Sequence, residues 1–184
     1  MAARLPLHTI GHSTLTLDEF VARLQAAGVT RLIDVRSIPR SRTNPQFNQA
    51  TLPGALAARG IGYEHVADLG GRRGRQRGVA PEVNGFWDNA SFHNYADWAL
   101  QPPFRAALAH LIDTGQRERC ALMCAESLWW RCHRRIIADH LLAAGEPVRH
   151  ILASHIEEAK LNPAAQVHAD GRVTYPAPAA APIT

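Results

Sequence analysis

The first 35 residues spell out a β-α-β unit, and that unit limits the fold more than any other stretch of the chain. Leu7 to Ile10 reads as a short strand ending in Gly11-His12-Ser13. Thr16-Leu-Asp-Glu19 then forms a capping box, with Leu15 and Phe20 placed as a hydrophobic staple around it. The helix that follows carries Phe20, Leu24 and Ala27 on one face and stops at Gly28. Arg31 to Val35 is a second buried strand. Two strands joined this way need a right-handed crossover and belong to a parallel sheet.

The rest of the chain repeats the alternation. Leu52 to Arg59 is expected as a short helix closed by Gly60, with Pro53 in its first turn, where no backbone N–H is needed. Ile61 to Val66 is a third strand. Ser91–Leu100 and Pro103–Thr114 read as helices separated by Pro102-Pro103. A fourth strand (119–124), a helix from Trp130 to Ala144 and a fifth strand (Val148 to Leu152) complete the pattern. The expected fold class is α/β: a parallel or mostly parallel sheet of about five strands flanked by helices. Residues 1–161 form one domain, and 162–184 a short hairpin and tail. In that last segment Val167 to Tyr175 alternates around Asp170-Gly171, a type I′ hairpin signal, and Pro176 to Thr184 is Pro/Ala-rich and expected to be disordered.

Composition bears on partners. Among 20 basic residues Lys160 is the only lysine, and net charge is +4. Arginine bias follows either from nucleotide composition or from selection for forked recognition of phosphate and carboxylate. Three cysteines without framework spacing, no signal-like N-terminus and no long apolar run point to a cytoplasmic protein with reduced thiols and no membrane contact. The sequence carries no signal for an oligomeric state.

Chemistry gathers where strands end. In a parallel sheet the carboxyl ends bring together His12 and Ser13, Asp34 and Arg36, Asp68 with Gly70-Gly71, and Cys124 with Glu126. The turn Cys132-His133-Arg134 joins them. Arg131 and Arg134 oppose the dipole of the helix they open. They are expected either to pair with Glu126 or Asp34 or to hold an anion with the helix N-terminus. Arg135 is expected to pair with Asp139, four residues on. His133 is either a core histidine or a general acid or base held by Asp34 or Glu126. Cys124 is either an inert buried thiol or a nucleophile. The interval between Cys124 and Arg131 is one residue too long for a phosphatase-like Cys-x5-Arg loop. Cys-x7-Cys-His matches no common zinc framework, so neither metal nor cofactor is expected.

Gly70 to Gly78 holds four Gly and four Arg in nine residues, a loop expected to be mobile and to wrap phosphate. Arg36, Arg40 and Arg42 add charge to the same edge, and Phe86, Trp87, Phe92, Tyr95, Trp129 and Trp130 either stack on bases or cover the core.

Thr9-Ile-Gly-His-Ser13, Asp34-Val-Arg36 with Pro39 and Ser41, Leu69-Gly-Gly71, Cys124-Ala-Glu126 with Cys132-His-Arg134, and Val148-x-His150-Ile151 occur in that order. Together, from about residue 8 to 156, they resemble the domain-of-unknown-function 488 family. The resemblance implies a compact, bacterial-type cytoplasmic α/β domain of unassigned activity. Leu128-Trp-Trp-Arg131 stands where relatives are expected to be more polar.

The leading expectation is a hydrolase or transferase acting on a phosphate-bearing nucleotide or nucleic acid. Glu126 and His133 move protons, Asp34 orients a partner, and Cys124 is a candidate nucleophile. His12, Ser13, Arg36, Gly70, Gly71, Arg131, Cys132 and Arg134 bind substrate. The alternatives are a non-catalytic nucleic-acid-binding module and a cysteine-dependent thiol or sulfur-transfer enzyme.

Overall fold

The computed structural model describes residues 3–180 and 182–183. Its first three elements are β1 (Leu7–Gly11), α1 (Leu17–Ala26) and β2 (Arg31–Asp34). The capping box forms as its sequence requires: Glu19 N donates to Thr16 Oγ1 at 3.1 Å and Thr16 N to Glu19 Oε2 at 2.9 Å. Then come α2 (Leu52–Ala57), β3 (Gly62–His65), α3 (Ala90–Trp98), α4 (Pro102–Arg117), β4 (Cys120–Cys124), α5 (Arg134–Ala143), β5 (Val148–Ile151) and β6 (Ile156–Glu158). A two-stranded hairpin, β7 (Gln166–Val167) and β8 (Val173–Thr174), follows.

The main sheet has the order β3-β2-β4-β1-β5-β6. Every pairing in it is parallel except that of β6 with β5. The strand β6 was not expected. It is three residues long and half exposed, so its alternation is too brief to read.

Helices cover both faces, and β4 shows why its sequence must be apolar throughout. Cys120, Leu122 and Cys124 point to the face holding Leu108, Leu111, Ile137 and Leu141. Ala121 and Met123 point to the face holding Phe20, Leu24, Leu52 and Leu56. The same alternation puts Asp34 on the α1 side and Val35 on the α5 side, a division that decides which site residues can meet. No helix among the described residues is long and apolar enough to cross a membrane.

Three local expectations are corrected. Pro102 and Pro103 do not separate α3 from α4; they form the first turn of α4, which runs to Arg117. The helix expected from Trp130 begins at Arg134, after a 3-10 turn at Trp129–Arg131 and an extended Cys132. Tertiary contacts hold that turn: the Trp129 indole N–H donates to Glu157 at 2.6 Å and its ring stacks on His150 at 4.3 Å. The C-terminal hairpin is not closed by a two-residue type I′ turn. Gly171 N donates to His168 O, His168 N to Arg172 O, and only Gly171 has positive φ, giving a three-residue loop with a bulge.

Val173 and Tyr175 are fully buried, and the Tyr175 hydroxyl donates to Asp139 Oδ2 at 2.6 Å, so the hairpin shares the main core. Of the expected tail, 176–180 and 182–183 carry no helix or strand, while residues 181 and 184 lie outside the described residues.

Candidate functional site

The carboxyl ends of β1, β2 and β4 open into a cavity of about 570 Å³. His12, Arg36, Gly71, Cys124, Glu126, Arg131, Cys132 and His133 are on its wall. Of the other expected site residues, Asp34, Ser13, Gly70 and Arg134 lie behind that wall rather than on it. Two separate groups of side chains support the cavity, one on each face of the sheet.

On the α1 face Asp34, fully buried, accepts from Arg36 Nε at 2.9 Å and Nη2 at 2.7 Å, and from the Tyr63 hydroxyl. Burial and that hydrogen bond push the Tyr63 phenol up. Arg36 Nη2 also donates to the Phe47 carbonyl, and Nη1 lies 3.4 Å from His12 Nε2. The His12 ring stacks on Phe47 at 4.3 Å, and burial lowers its pKa. This face is a rigid bracket. Its carboxylate is fully used, so Asp34 has no capacity left to orient His133.

On the α5 face the two sulfurs of Cys124 and Cys132 are 2.9 Å apart, as free thiols. His133 Nδ1 is 3.3 Å from Cys132 Sγ, and its Nε2 is 2.8 Å from the Val35 carbonyl. A carbonyl only accepts, so Nε2 carries a proton and Nδ1 is left facing the sulfur. The expected carboxylate partner of His133 is thus replaced by a backbone carbonyl. Gly71 packs flat on the imidazole: a Cβ there would lie 2.5 Å from Nδ1. Gly11 likewise has no room, since its Cβ would meet the Glu126 carbonyl.

Arg134 is 1% exposed, the largest fully buried side chain. Nε donates to Cys124 Sγ at 3.0 Å, Nη1 to Thr9 Oγ1 at 3.1 Å, and Nη2 to the carbonyls of Glu126 and Ser127. No carboxylate of the described residues pairs with it. The expected tie to Glu126 or Asp34 is therefore corrected. Arg134 reaches Glu126 only through its backbone, and the side chains it meets are the Cys124 sulfur and the Thr9 hydroxyl. Thr9 passes the contact on, its hydroxyl lying 2.7 Å from His150 Nδ1.

With 2.9 Å between them, the sulfurs titrate as a pair. Burial opposes ionisation at both. At Cys132 it is outweighed by the Cys124 S–H, the His133 imidazole and Arg134, which hold that thiol well below its ordinary range. Burial and the negative charge of Cys132 push Cys124 well above it.

A family model described as domain of unknown function DUF488 matches residues 16–141, roughly two thirds of the chain. The chain belongs to that family. No curated protein and no solved structure matches it at a significant level. The family match spans Asp34, Arg36 and Tyr63 of the bracket, the dithiol and Arg134, but begins after Thr9 and His12 and stops short of His150.

The remaining expected residues are placed as follows. Glu126 is exposed at the rim, with Oε1 accepting from Leu128 N at 3.1 Å. Arg131 is exposed and without a carboxylate partner among the described residues. Ser13 is the one non-glycine residue with positive φ among the described residues, and its N–H donates to Ala125 O. Gly70 is crowded by Ser37 Oγ, which lies 2.6 Å from where a Cβ would be. Arg135 does not pair with Asp139; it donates to the Trp130 carbonyl and stacks over Trp87. In the Arg/Gly loop, Arg73 lies 4.0 Å over the Trp98 ring and donates to the Gly70 and Ala67 carbonyls, so it is a structural strut. Among the aromatics, Trp87 and Tyr95 belong to the core, whereas Phe92 is on the cavity wall and Trp130 is 42% exposed.

Thr9, Tyr63 and His150 were missed as site residues. A signal existed for two of them: Thr9 and His150 are polar residues within short strands, and both are buried and paired across the β1–β5 ladder. Among the described residues no group of three or more His, Cys, Asp or Glu side chains is arranged to hold a metal.

Proposed function

We propose that this protein is a cysteine-dependent transferase or hydrolase whose nucleophile is the Cys132 thiolate. One observation carries the proposal: a fully buried guanidinium whose only ionisable contact among the described residues is a thiol of the Cys124–Cys132 pair. Burying a cation without a counterion costs several kcal/mol, so the dithiol is expected to hold the compensating negative charge. His133, its tautomer fixed by the Val35 carbonyl, takes the Cys132 proton on Nδ1 and returns it to a leaving group. Glu126, on the rim, is available to move a second proton or to position water.

The substrate class follows from charge. Arg40, Arg72 and Arg131 border the cavity without carboxylate partners among the described residues, opposed only by Glu126. Guanidinium groups so placed suit a phosphate-bearing small molecule, a nucleotide being the simplest. A protein working through free thiols belongs in a reducing, cytoplasmic setting.

The test is the pH dependence of Cys132 carbamidomethylation by iodoacetamide, read by peptide mass. Half-maximal rate is expected well below the ordinary thiol value of about 8.5, moving up in His133→Ala and Arg134→Ala. Nucleoside mono- or diphosphate should slow the reaction by occupying the cavity. A Cys132 that alkylates with an ordinary thiol profile would overturn the proposal.

A second reading is favoured by a neighbouring hollow lined by Ile38, Arg40, Arg42, Asn48 and Arg72, the last on the loop that also carries exposed Arg75 and Arg77. On that reading the chain binds nucleic acid without chemistry. Oligonucleotide affinity would fall with salt at a log–log slope of roughly 0.7 to 0.9 per phosphate-contacting arginine. Cys132→Ser would leave that slope unaltered.

A further inference from the structure

We infer that Cys124 and Cys132 form a redox-active dithiol that reduces hydroperoxides at the expense of a low-molecular-weight thiol, an activity that rests on the Cys132 thiolate proposed above. The two sulfurs sit 2.9 Å apart, and both residues, though largely buried, line the wall of the cavity. Closing them to a disulfide of about 2.05 Å requires a movement of under about 1 Å. The third cysteine has none of this: Cys120 lies on the same strand but away from the cavity, and burial pushes its thiol up to about 11.

The residues around the pair divide the work. The Cys132 thiolate attacks the terminal oxygen of a hydroperoxide; an S–O bond forms and the O–O bond breaks. The alkoxide or hydroxide leaves with the proton that His133 Nδ1 holds 3.3 Å from the sulfur. Cys132 is then a sulfenic acid, two electrons oxidised. The Cys124 sulfur attacks it, the S–S bond forms, and the S–O bond breaks to release water with the proton that Cys124 carried. An external thiolate next attacks Cys132 from the cavity side. Cys124 departs as a thiolate beside Arg134 Nε at 3.0 Å, the group placed to neutralise it. A second external thiol completes the cycle. One hydroperoxide and two thiols give one alcohol or water, one further water and one external disulfide.

Arg134 also sets which state is favoured. Oxidation removes the negative charge of a dithiol that the buried guanidinium touches through Cys124 Sγ, leaving it Thr9 and two carbonyls as polar partners. Stabilising the reduced form makes a disulfide a stronger oxidant, so this one should be reopened readily by ordinary monothiols. That separates a working couple from a structural cross-link.

The experiment uses the full-length protein and hydrogen peroxide. After one equivalent, blocking with N-ethylmaleimide in denaturant and peptide mapping should find Cys124 linked to Cys132 and Cys120 alkylated. The rate of Cys132 alkylation should fall by roughly tenfold or more, since a disulfide offers no thiolate, and dithiothreitol should restore it. In Cys124→Ser, dimedone should trap a sulfenic acid on Cys132; Cys124→Ala serves if the serine variant does not fold. The linkage in the wild-type protein is read independently of either variant. If Cys132 keeps its low-pH alkylation but peroxide produces neither the linkage nor the sulfenic acid, the redox couple is overturned and the nucleophile stands. If Cys132 alkylates as an ordinary thiol, both fall.

Discussion

Asp34 and Arg36, two positions apart in sequence, form a two-pronged ion pair in the protein interior, with the carboxylate unexposed and the guanidinium 6% exposed. The pair joins the end of β2 to Phe47 and His12, and so sets the floor of the cavity on the α1 face. Asp34→Ala would strand a buried cation and leave the Tyr63 hydroxyl without its acceptor. A loss of about 3–5 kcal/mol in unfolding free energy is expected, measured as a lower urea midpoint. Asp113→Ala, which breaks an exposed pair with Arg117, should cost at most about 0.5 kcal/mol. Equal effects would mean that the Asp34 pair is solvated.

Gly71 presses on His133 with no room for a methyl group. Gly71→Ala should therefore keep the fold, since the residue is on a surface loop, yet tilt the imidazole away from Cys132. A misplacement of this size can cost about 10²-fold in a positioned proton transfer. The expected result is a comparable drop in Cys132 alkylation at pH 6 with an unchanged melting temperature. An unchanged rate would separate His133 from thiol activation.

His150 is held neutral in the fold, its pKa lowered to about 4 by burial and by Arg134, while an unfolded histidine titrates near 6.5. Above 6.5 neither state binds the proton and the native contacts are intact. Below it the unfolded chain gains a proton that the folded chain refuses. Stability should thus fall as pH drops from 6.5 to 4, by up to about 3 kcal/mol from this residue. His140, lowered by burial to about 3, adds in the same direction. His150→Phe retains a ring against Trp129 but cannot titrate. It should be less stable at pH 8 by about 1 kcal/mol, through the lost Thr9 bond, and show a shallower decline between pH 6.5 and 4. A decline as steep as the wild type's would assign the acid lability elsewhere.

The fold was legible because its signals are local. The Thr16–Glu19 capping box, Pro53 in the first turn of its helix and the five-residue apolar run Cys120–Cys124 each act within one turn or one strand. Alternation of strands and helices then leaves few topologies. Failures came where a distant residue overrides a local preference. Periodicity continues the last long helix back to Trp130, but Glu157 and His150, on the neighbouring strands, hold Trp129 in a 3-10 turn. The Asp170-Gly171 pair has a type I′ signature, yet the strand register leaves three residues in the loop.

For the site, sequence by itself determined the cast: which residues end the strands, and that Cys124, Cys132, His133 and Arg134 lie close together in the chain. Only the tertiary structure decided their partners. Strand alternation puts Asp34 on one face of the sheet and the dithiol on the other, so the carboxylate expected to orient His133 is committed to Arg36. A backbone carbonyl, invisible as a residue type, takes its place. Arg134 reads in sequence as a cation at a helix start that needs a carboxylate or a bound anion to offset the dipole. Burial between β1 and β4 makes it instead a charge that only a sulfur can answer, because in a low-dielectric interior a cation is governed by what touches it and not by its position along the helix.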